Sequence, residues 1–432
     1  VSDLPVGWNE STIVNLIGKD GLFSDGDWVE SKDQDPNGAI RLLQLADIGD
    51  GKFVNKSHRF VNDQKFELLN FTEILEDDVL VARMPDPLGR ACLMPKLPQK
   101  CITVVDVAII RPGKDSVLPR WLMHFLNSPE IRQRIELLSS GTTRKRISRG
   151  NLAQIELPIP PLNEQKRIAE KLDSLLARVD SCQTHLERVP QILKRFRQSV
   201  LAAATSGRLT EDWREERGIE DNWGLVTFND LLSKEKGAIR RGPFGSSIKK
   251  SFFVPHGYKV YEQKNAIQND ENLGSYFIDE SKFRELEAFS VKPGDFIVSC
   301  AGTIGRVAQL SQNALPGVIN QALMRIRVDH SVIDDKYFVL FFQSPDFQKM
   351  ILEETQGTAM QNMASINTIR ELSISVPLLE EQAEIVRRVE KLFAYAAKLE
   401  ARYTSASEHV ERLTPSLLAK AFRGELVGQE QG

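Results

Sequence analysis

Residues 158 to 210 recur, without a gap, as residues 375 to 427, so a displacement of 217 positions carries one block onto the other. It pairs Pro160 with Pro377, Glu164 with Glu381, Gln165 with Gln382, Ile168 with Ile385 and Leu175 with Leu392. Toward the end of the block, Arg195, Ser199, Leu201, Ala202, Ala204, Gly207 and Leu209 match Arg412, Ser416, Leu418, Ala419, Ala421, Gly424 and Leu426. Solenoids and propellers repeat every ~20–50 residues, so a period this long makes each repeat a domain-sized unit. The chain is a tandem duplication.

The repeated block has the pattern of a long helix with a narrow apolar seam. Alternate steps of four and three from Ile168 land on Leu172, Leu175, Val179, Cys182, Leu186, Val189, Leu193, Phe196 and Val200. The second copy runs through Ile385, Val389, Leu392, Ala396, Leu399, Tyr403, Ala406, Val410, Leu413 and Leu417. A stripe confined to these positions suits a single partner helix. Pro158 to Pro161 lead in, Asn163 is placed to cap and Glu164 lies in the first turn, where the helix dipole favours a carboxylate. Gly207 and Gly424 stand where a left-handed terminating residue is expected. Each helix is predicted to run about 40 residues, or about 60 Å. Pro190 must kink or restart the first, and Pro415 is expected to shorten the second. Two such helices are expected to pack antiparallel against each other; the alternative is that each docks on its own globule.

The sequence between the helices repeats more loosely. Trp121, Phe125, Ser128, Pro129 and Gly141 match Tyr337, Phe341, Ser344, Pro345 and Gly357 at a displacement of 216. Short β-rich runs at Asp78 to Ala82 and Asp295 to Ser299, with Gly and Pro punctuation, predict mixed α/β globules of about 160 residues each. The expected organisation is a globule over 1–157, a helix over 158–212, a second globule over 213–374 and a second helix over 375–432. The fold class is therefore α+β, with a pseudo-twofold internal repeat.

The runs Pro160 to Gln165 and Pro377 to Gln382, with Ile168 to Asp173 after the first, resemble the conserved helices of specificity (S) subunits of type I restriction-modification systems. The helix ends Gln191 to Gln198 and Leu418 to Leu426 are also similar to that family, especially its enterobacterial K-type branch, and Leu4 to Trp8 resembles the usual opening of its first target-recognition domain. Thr210 to Trp213 has no second copy. The resemblance covers essentially the whole chain and is strongest in the helices. It implies two DNA-reading domains held apart by an antiparallel helix pair, on a bipartite, asymmetric duplex site with a non-specific spacer. Partners would be two methyltransferase (M) subunits that modify adenine and two restriction/translocase (R) subunits. S-adenosylmethionine, ATP and Mg would belong to those partners, with no cofactor in this chain. An inhibitor that imitates DNA is a further candidate partner. A rigid helix pair could set about one duplex turn, ~34 Å, between half-sites.

Charge and cysteine use narrow the classes. No apolar run of about 18 residues and no signal-like N-terminus is found, which favours an intracellular location over a membrane or export route, and the resemblance implies the bacterial cytoplasm. Cys92, Cys101, Cys182 and Cys300 are scattered, with Cys182 expected on the buried seam, so neither disulfides nor zinc are expected. The net charge is −3, whereas a lone DNA binder is usually basic. Basic residues must be concentrated locally, or partners must supply phosphate attraction.

Such concentration exists. Thr142, Thr143, Arg144, Lys145, Arg146 and Arg149 form a run that reads as a loop before the first helix. Its cations could neutralise phosphates, and an Arg could bind guanine bidentately. The corresponding loop, Thr358 to Ile366, carries Gln361 and Asn362, whose amides suit adenine. A second candidate patch contains Arg240, Arg241, Ser246, Ser247, Lys249 and Lys250 among glycines that permit close backbone approach. Its first-domain counterpart, around Gly21 to Lys32, is acidic and is expected to contact DNA less or differently. Arg83, Arg90 and Arg306 are additional candidates.

No catalytic or metal constellation accompanies them. The chain lacks a G-x-x-x-x-G-K-[ST] loop, Gly302 to Arg306 falls short of a dinucleotide fingerprint, and no Asn-Pro-Pro or Asp-Pro-Pro tetrapeptide of an amino-methyltransferase occurs. The six histidines have no metal-ligand spacing, with His185 and His409 expected at the surface. Two readings remain: a non-catalytic DNA-specificity and assembly subunit, or a coiled-coil scaffold with two protein-binding domains.

Overall fold

The computed structural model describes residues 4–428 except 142–143, 221–222, 245 and 355–360; for 353–354 and 361–362 only the backbone is described. Two compact units divide the chain, one built from residues 1–187 and 404–432, the other from 188–403. Each unit thus combines one globule with portions of both long helices, a division different from the four consecutive segments expected from sequence.

In chain order the first unit contains β1 (Asn9–Thr12), α1 (Ile13–Ile17), β2 (Leu22–Asp25), β3 (Ile40–Leu43), β4 (Phe60–Val61), α2 (Asp63–Leu69), β5 (Val79–Ala82), β6 (Ala91–Leu93), β7 (Cys101–Thr103) and β8 (Val107–Arg111). Then come α3 (Pro119–Leu126), α4 (Pro129–Leu137), α5 (Arg149–Ala153), β9 (Glu156–Ile159) and the long α6 (Leu162–Leu186). An antiparallel sheet of order β2-β8-β5-β6 lies beside a three-stranded sheet, β4-β3-β7, while β1 pairs with β9. Side chains alternate across the pleat. Val79 and Val81 of β5 therefore enter a core with Trp121, Leu122, Ile168 and Leu172, while Leu80 and Ala82 enter a second core with Leu43 and Ile109.

The second unit opens with α7 (Val189–Thr205), α8 (Glu211–Arg217), β10 (Gly224–Thr227), β11 (Ile239–Arg241), β12 (Phe253–Val254), β13 (Tyr258–Tyr261), α9 (Gln263–Gln268), β14 (Phe277–Ile278) and α10 (Glu280–Glu285). It continues with β15 (Ser290–Val291), β16 (Phe296–Ser299), β17 (Val307–Gln309), β18 (Gly317–Ile319), β19 (Leu323–Ile326), α11 (Asp335–Phe342) and α12 (Pro345–Ile351). The hairpin β20 (Leu352–Glu354) and β21 (Gln361–Met363), α13 (Ile366–Glu371), β22 (Ser373–Val376) and α14 (Leu379–Phe422) complete the chain. Its sheet order β11-β19-β16-β17 repeats β2-β8-β5-β6, and the parallel pair β13–β18 repeats β3–β7.

Side-chain bonds repeat as well. Arg111 Nε meets Asp78 Oδ1 at 2.7 Å, and Arg327 Nε meets Asp295 Oδ1 at 2.7 Å. Gln165 accepts from the Leu118 N–H at 2.8 Å and donates to the Pro160 carbonyl at 2.9 Å. Gln382 accepts from the Asp334 N–H at 2.7 Å and donates to the Pro377 carbonyl at 2.8 Å. Arg120 pairs with Asp173 at 3.1 Å as Lys336 pairs with Glu390 at 2.7 Å. The loosely repeated globules share one fold, in which these glutamines and ion pairs fasten each helix to its own globule.

One repeated position differs. Glu381 is buried and accepts hydrogen bonds from Thr210 Oγ1 at 2.7 Å and Trp223 Nε1 at 3.1 Å, with the Arg214 guanidinium against Oε1. The equivalent Glu164 is also buried, yet among the described residues its Oε1 has no hydrogen-bond partner, nor does Nε1 of Trp8, the counterpart of Trp223.

The helices meet antiparallel within each unit. In the second, Arg197 Nη2 on α7 pairs with Glu400 on α14 at 2.7 Å, and Arg388 Nη1 on α14 donates to the Leu209 carbonyl at 2.9 Å. Advancing along α7 thus means retreating along α14. In the first, Ile168 and Leu172 of α6 share a core with Leu418, Ala421 and Phe422 at the far end of α14. Ile168, Leu172, Val179, Leu193, Ile385 and Val389 of the seam are buried; Leu175, Leu186, Phe196, Leu392, Leu399, Tyr403 and Leu413 are half-buried. His185 and His409 are exposed, as expected.

Four expectations are corrected here. Cys182 is exposed. Its neighbours on the stripe, Val179 and Leu186, are buried and half-buried, so the seam is interrupted at this one position rather than lost. Asn163 is not the cap: α6 begins at Leu162 with Pro161 before it and no side-chain capping bond. Pro190 does restart the helix, at the N-terminus of α7, but Pro415 lies inside α14, which continues to Phe422. Burial of Leu418, Ala421 and Phe422 beyond the proline offsets the missing backbone bond. Finally, Gln361 lies in β21 of a two-stranded sheet, not in a loop. Gly207 and Gly424 adopt the expected left-handed φ, at 79° and 75°.

Candidate nucleic-acid interface

In the first unit the described part of the basic run is held by backbone bonds and ion pairs. Gly141 takes φ 104°, where a side chain would be strained, and Ser140 and Arg146 exchange backbone hydrogen bonds of 2.9 Å. Arg144 is exposed and forms no ion pair among the described residues. Lys145 is exposed and pairs with Glu136 at 2.6 Å. Arg146 is half-buried, 3.3 Å from Asp106. Arg149 is exposed at the start of α5, whose cap is Ser148 accepting from the Asn151 N–H at 3.0 Å. Thr142 and Thr143 lie outside the described residues. Exposed surface ion pairs are weak, so Lys145 remains exchangeable onto a phosphate.

Arg83 and Arg90 are not open contacts, and both expectations are corrected. Arg83 is 2 % exposed; Nη2 lies 3.1 Å from Asp25 and also donates to the Val105 carbonyl, while Nη1 reaches the Ile147 carbonyl. Burial, partly offset by Asp25, pulls its pKa down. Arg90 spends its guanidinium on the carbonyls of Ile48 at 2.6 Å, Pro87 at 2.9 Å and Leu45 at 2.8 Å. Each fixes loops and leaves no free fork for a base. Through Ile147, Arg83 also anchors the chain just after the basic loop.

In the second unit, Arg241 donates to the Met363 carbonyl at 2.9 Å and so ties β11 to β21. Arg240 lies over the Phe289 ring, 5.7 Å from its centroid. Ser246, Lys249 and Lys250 are exposed and Ser247 is half-buried. Arg306 is exposed on the loop between β16 and β17, which Ser299 holds by donating to the Thr303 carbonyl at 2.6 Å and accepting from the Arg306 N–H at 3.0 Å. The Gln361 and Asn362 side chains lie outside the described residues. The structure thus leaves Arg144, Lys145 and Arg149 open on one unit, and Lys249, Lys250 and Arg306 on the other. Sequence reading missed Trp28 and Phe244, which are 72 % and 91 % exposed; their signal was an aromatic residue in a Gly- and charge-rich run.

Two copies of one globule, fastened to a shared helix pair and presenting unlike polar loops, define a duplicated recognition scaffold. The chain belongs to the family described as type I restriction modification DNA specificity domain, whose model matches it twice, over residues 5–191 and 222–406. It is 32 % identical to the EcoKI specificity subunit of Escherichia coli K12, over 90 % of this chain and 83 % of that one. It is also 32 % identical to the StySPI specificity subunit of Salmonella potsdam, over 99 % and 90 %. Among solved structures, a chain of a type I R-M system superposes with a TM-score of 0.73 at 19 % identity, covering 98 % of this chain and 100 % of that one. The HsdS subunit of Thermoanaerobacter tengcongensis gives 0.63 at 19 %, covering 98 % of both, and these two likenesses bear on the fold alone. No helix among the described residues is long and apolar enough to cross a membrane.

Proposed function

We propose that this chain is the DNA-specificity subunit of a type I restriction-modification complex. The observation that carries the reading is the doubled family match falling on two equivalent globules whose exposed loops differ in chemistry. The four sequence segments then act as first reader, helix, second reader and helix, and the duplex site is bipartite and asymmetric because the readers are unlike. Phosphates would be met by Arg144, Lys145 and Arg149 on one half and by Lys249, Lys250 and Arg306 on the other. Thr142, Thr143, Arg146, Gln361 and Asn362 are candidates for finer reading. Each Lys or Arg on a phosphate contributes about 0.9 to the slope of log K against log salt.

The chemistry belongs to partners: two methyltransferase subunits acting on adenine with S-adenosylmethionine, and two restriction/translocase subunits using ATP and Mg, all in the bacterial cytoplasm. Mapping adenine methylation across the genome with and without this gene tests the reading. A split motif that appears only with the gene is expected. Replacing Arg144, Lys145 and Arg149 by Ala should lower the salt slope by up to about 2.7 and relax or weaken one half-site. Equal loss at both halves, or no sequence preference at any salt, would sink it in favour of a protein-binding scaffold.

A further inference from the structure

The strand registers align the two units residue by residue across the stretch where their charges differ most. Phe23 faces Ile110 and Asp25 faces Ala108; Ile239 faces Ile326 and Arg241 faces Met324. Because Arg111 and Arg327 carry the repeated ion pair, Ile110 corresponds to Ile326 and Ala108 to Met324. Asp25 therefore corresponds to Arg241, Gly26 to Gly242 and Trp28 to Phe244. The glycines confirm the alignment. A Cβ on Gly26 would lie 2.3 Å from the Val104 carbonyl oxygen, and one on Gly242 would lie 1.8 Å from that of Asn320, the residue equivalent to Val104. In both units the chain is pressed against the sheet here and then turns a large ring outward two residues later.

Nearly everything polar around this ring has changed between copies. Asp25 and Asp27 of the first unit are replaced at the equivalent positions of the second by Arg241 and Pro243. Exposed Lys249 and Lys250 follow Phe244, whereas Glu30 and Lys32, paired with each other at 2.6 Å, follow Trp28. The exposed aromatic persists through that exchange, though neither ring serves a core: Trp28 is 72 % and Phe244 91 % exposed. A ring that offers its faces to any base, in the second unit on a segment that goes on to two exposed lysines, has the chemistry of a nucleic-acid stacking or wedging residue.

We propose that Trp28 and Phe244 are equivalent base-contacting residues, each laying its ring against the base stack of the half-site read by its own unit. This rests on the DNA-specificity reading. Phe244, followed in sequence by the exposed Lys249 and Lys250, makes the stronger contact of the two, since Trp28 is flanked in sequence by Asp27 and Glu30, whose carboxylates repel phosphate.

The test uses the full chain assembled with its methyltransferase partner and duplexes selected by that complex from a randomised pool. Phe244→Ala should weaken binding of the selected duplex about tenfold, leave the salt slope unchanged, and broaden base preference in one half of the motif only. Trp28→Ala should broaden the other half. Phe244→Trp should recover most of the loss, and thermal unfolding should be unchanged because the ring is outside the core. Wild-type affinity and preference in both Ala variants would overturn the inference while leaving the specificity reading intact. Loss of subunit assembly with undiminished base preference would also overturn it, by assigning the ring to a protein contact. If the wild-type complex selects no motif at all, the underlying reading fails and the inference with it.

Discussion

A guanidinium occupies corresponding places in the two units but is delivered from different strands. Arg83, at the end of β5, donates to the Ile147 carbonyl; Arg241, at the end of β11, reaches the equivalent Ala364 carbonyl at 3.4 Å and Met363 at 2.9 Å. The turn before each short helix needs a donor there, and duplication has preserved the donor while moving its source. Buried carboxylates show the opposite case, one site completed and its twin not. Glu381→Ala removes the carboxylate that faces the buried Arg214 cation and accepts from Thr210 and Trp223, and should cost about 3 kcal/mol, as breaking a buried pair does. Glu164→Gln neutralises a carboxylate whose Oε1 has no donor among the described residues and should leave stability unchanged or slightly raised. Urea unfolding of both variants compares them, and equal losses would contradict the difference in environment.

At the scale of elements, the first turns of α14 are held by a cluster of charges. Glu384 accepts from Arg387 Nε and Nη2, both at 2.7 Å, and from Arg388 Nε at 2.6 Å. Hydrogen bonds first from Arg387 and then from Arg388 outweigh burial, and its pKa falls from 4.5 to about 2. Because the folded state holds the carboxylate ionised, its stabilising contribution is complete above the unfolded value and is lost as pH falls from 4.5 toward 2. Thermal unfolding followed across that window should decline less steeply in Glu384→Gln than in the wild type. A parallel decline would remove Glu384 from the acid response. The helices carrying this cluster were legible because a periodic stripe survives over many turns and Pro190 forces a break. The passage of α14 through Pro415 was not, since only tertiary burial of Leu418, Ala421 and Phe422 decides it. The sheets were visible as short β-rich runs, but β20 and β21 were not, being brief and polar. Site residues were legible as charge and not as exposure: nothing in the sequence separates Arg90, spent on three carbonyls, from Arg144, which is open.

At the scale of the whole molecule, continuity of the chain and compactness do not coincide. The second unit is one uninterrupted stretch whose core, from Val200 to Val389, lies wholly within it. The first is closed by Leu418, Ala421 and Phe422, with Phe422 against Trp121 and Phe125 at centroid distances of 5.6 and 5.1 Å. A fragment of residues 188–403 should unfold cooperatively on heating, whereas one of residues 1–187 should not until residues 404–432 are supplied. A sharp melt of 1–187 alone would show that the distant helix end is dispensable. The same arrangement bears on biosynthesis. Translation runs from the amino terminus, so the earlier of the two globules must wait on the ribosome, its aromatic face bare, while the whole intervening domain is synthesised. Any delay or premature stop before Leu418, Ala421 and Phe422 are made leaves that earlier globule sticky and exposed to proteases, although every residue of its sheet has long since emerged.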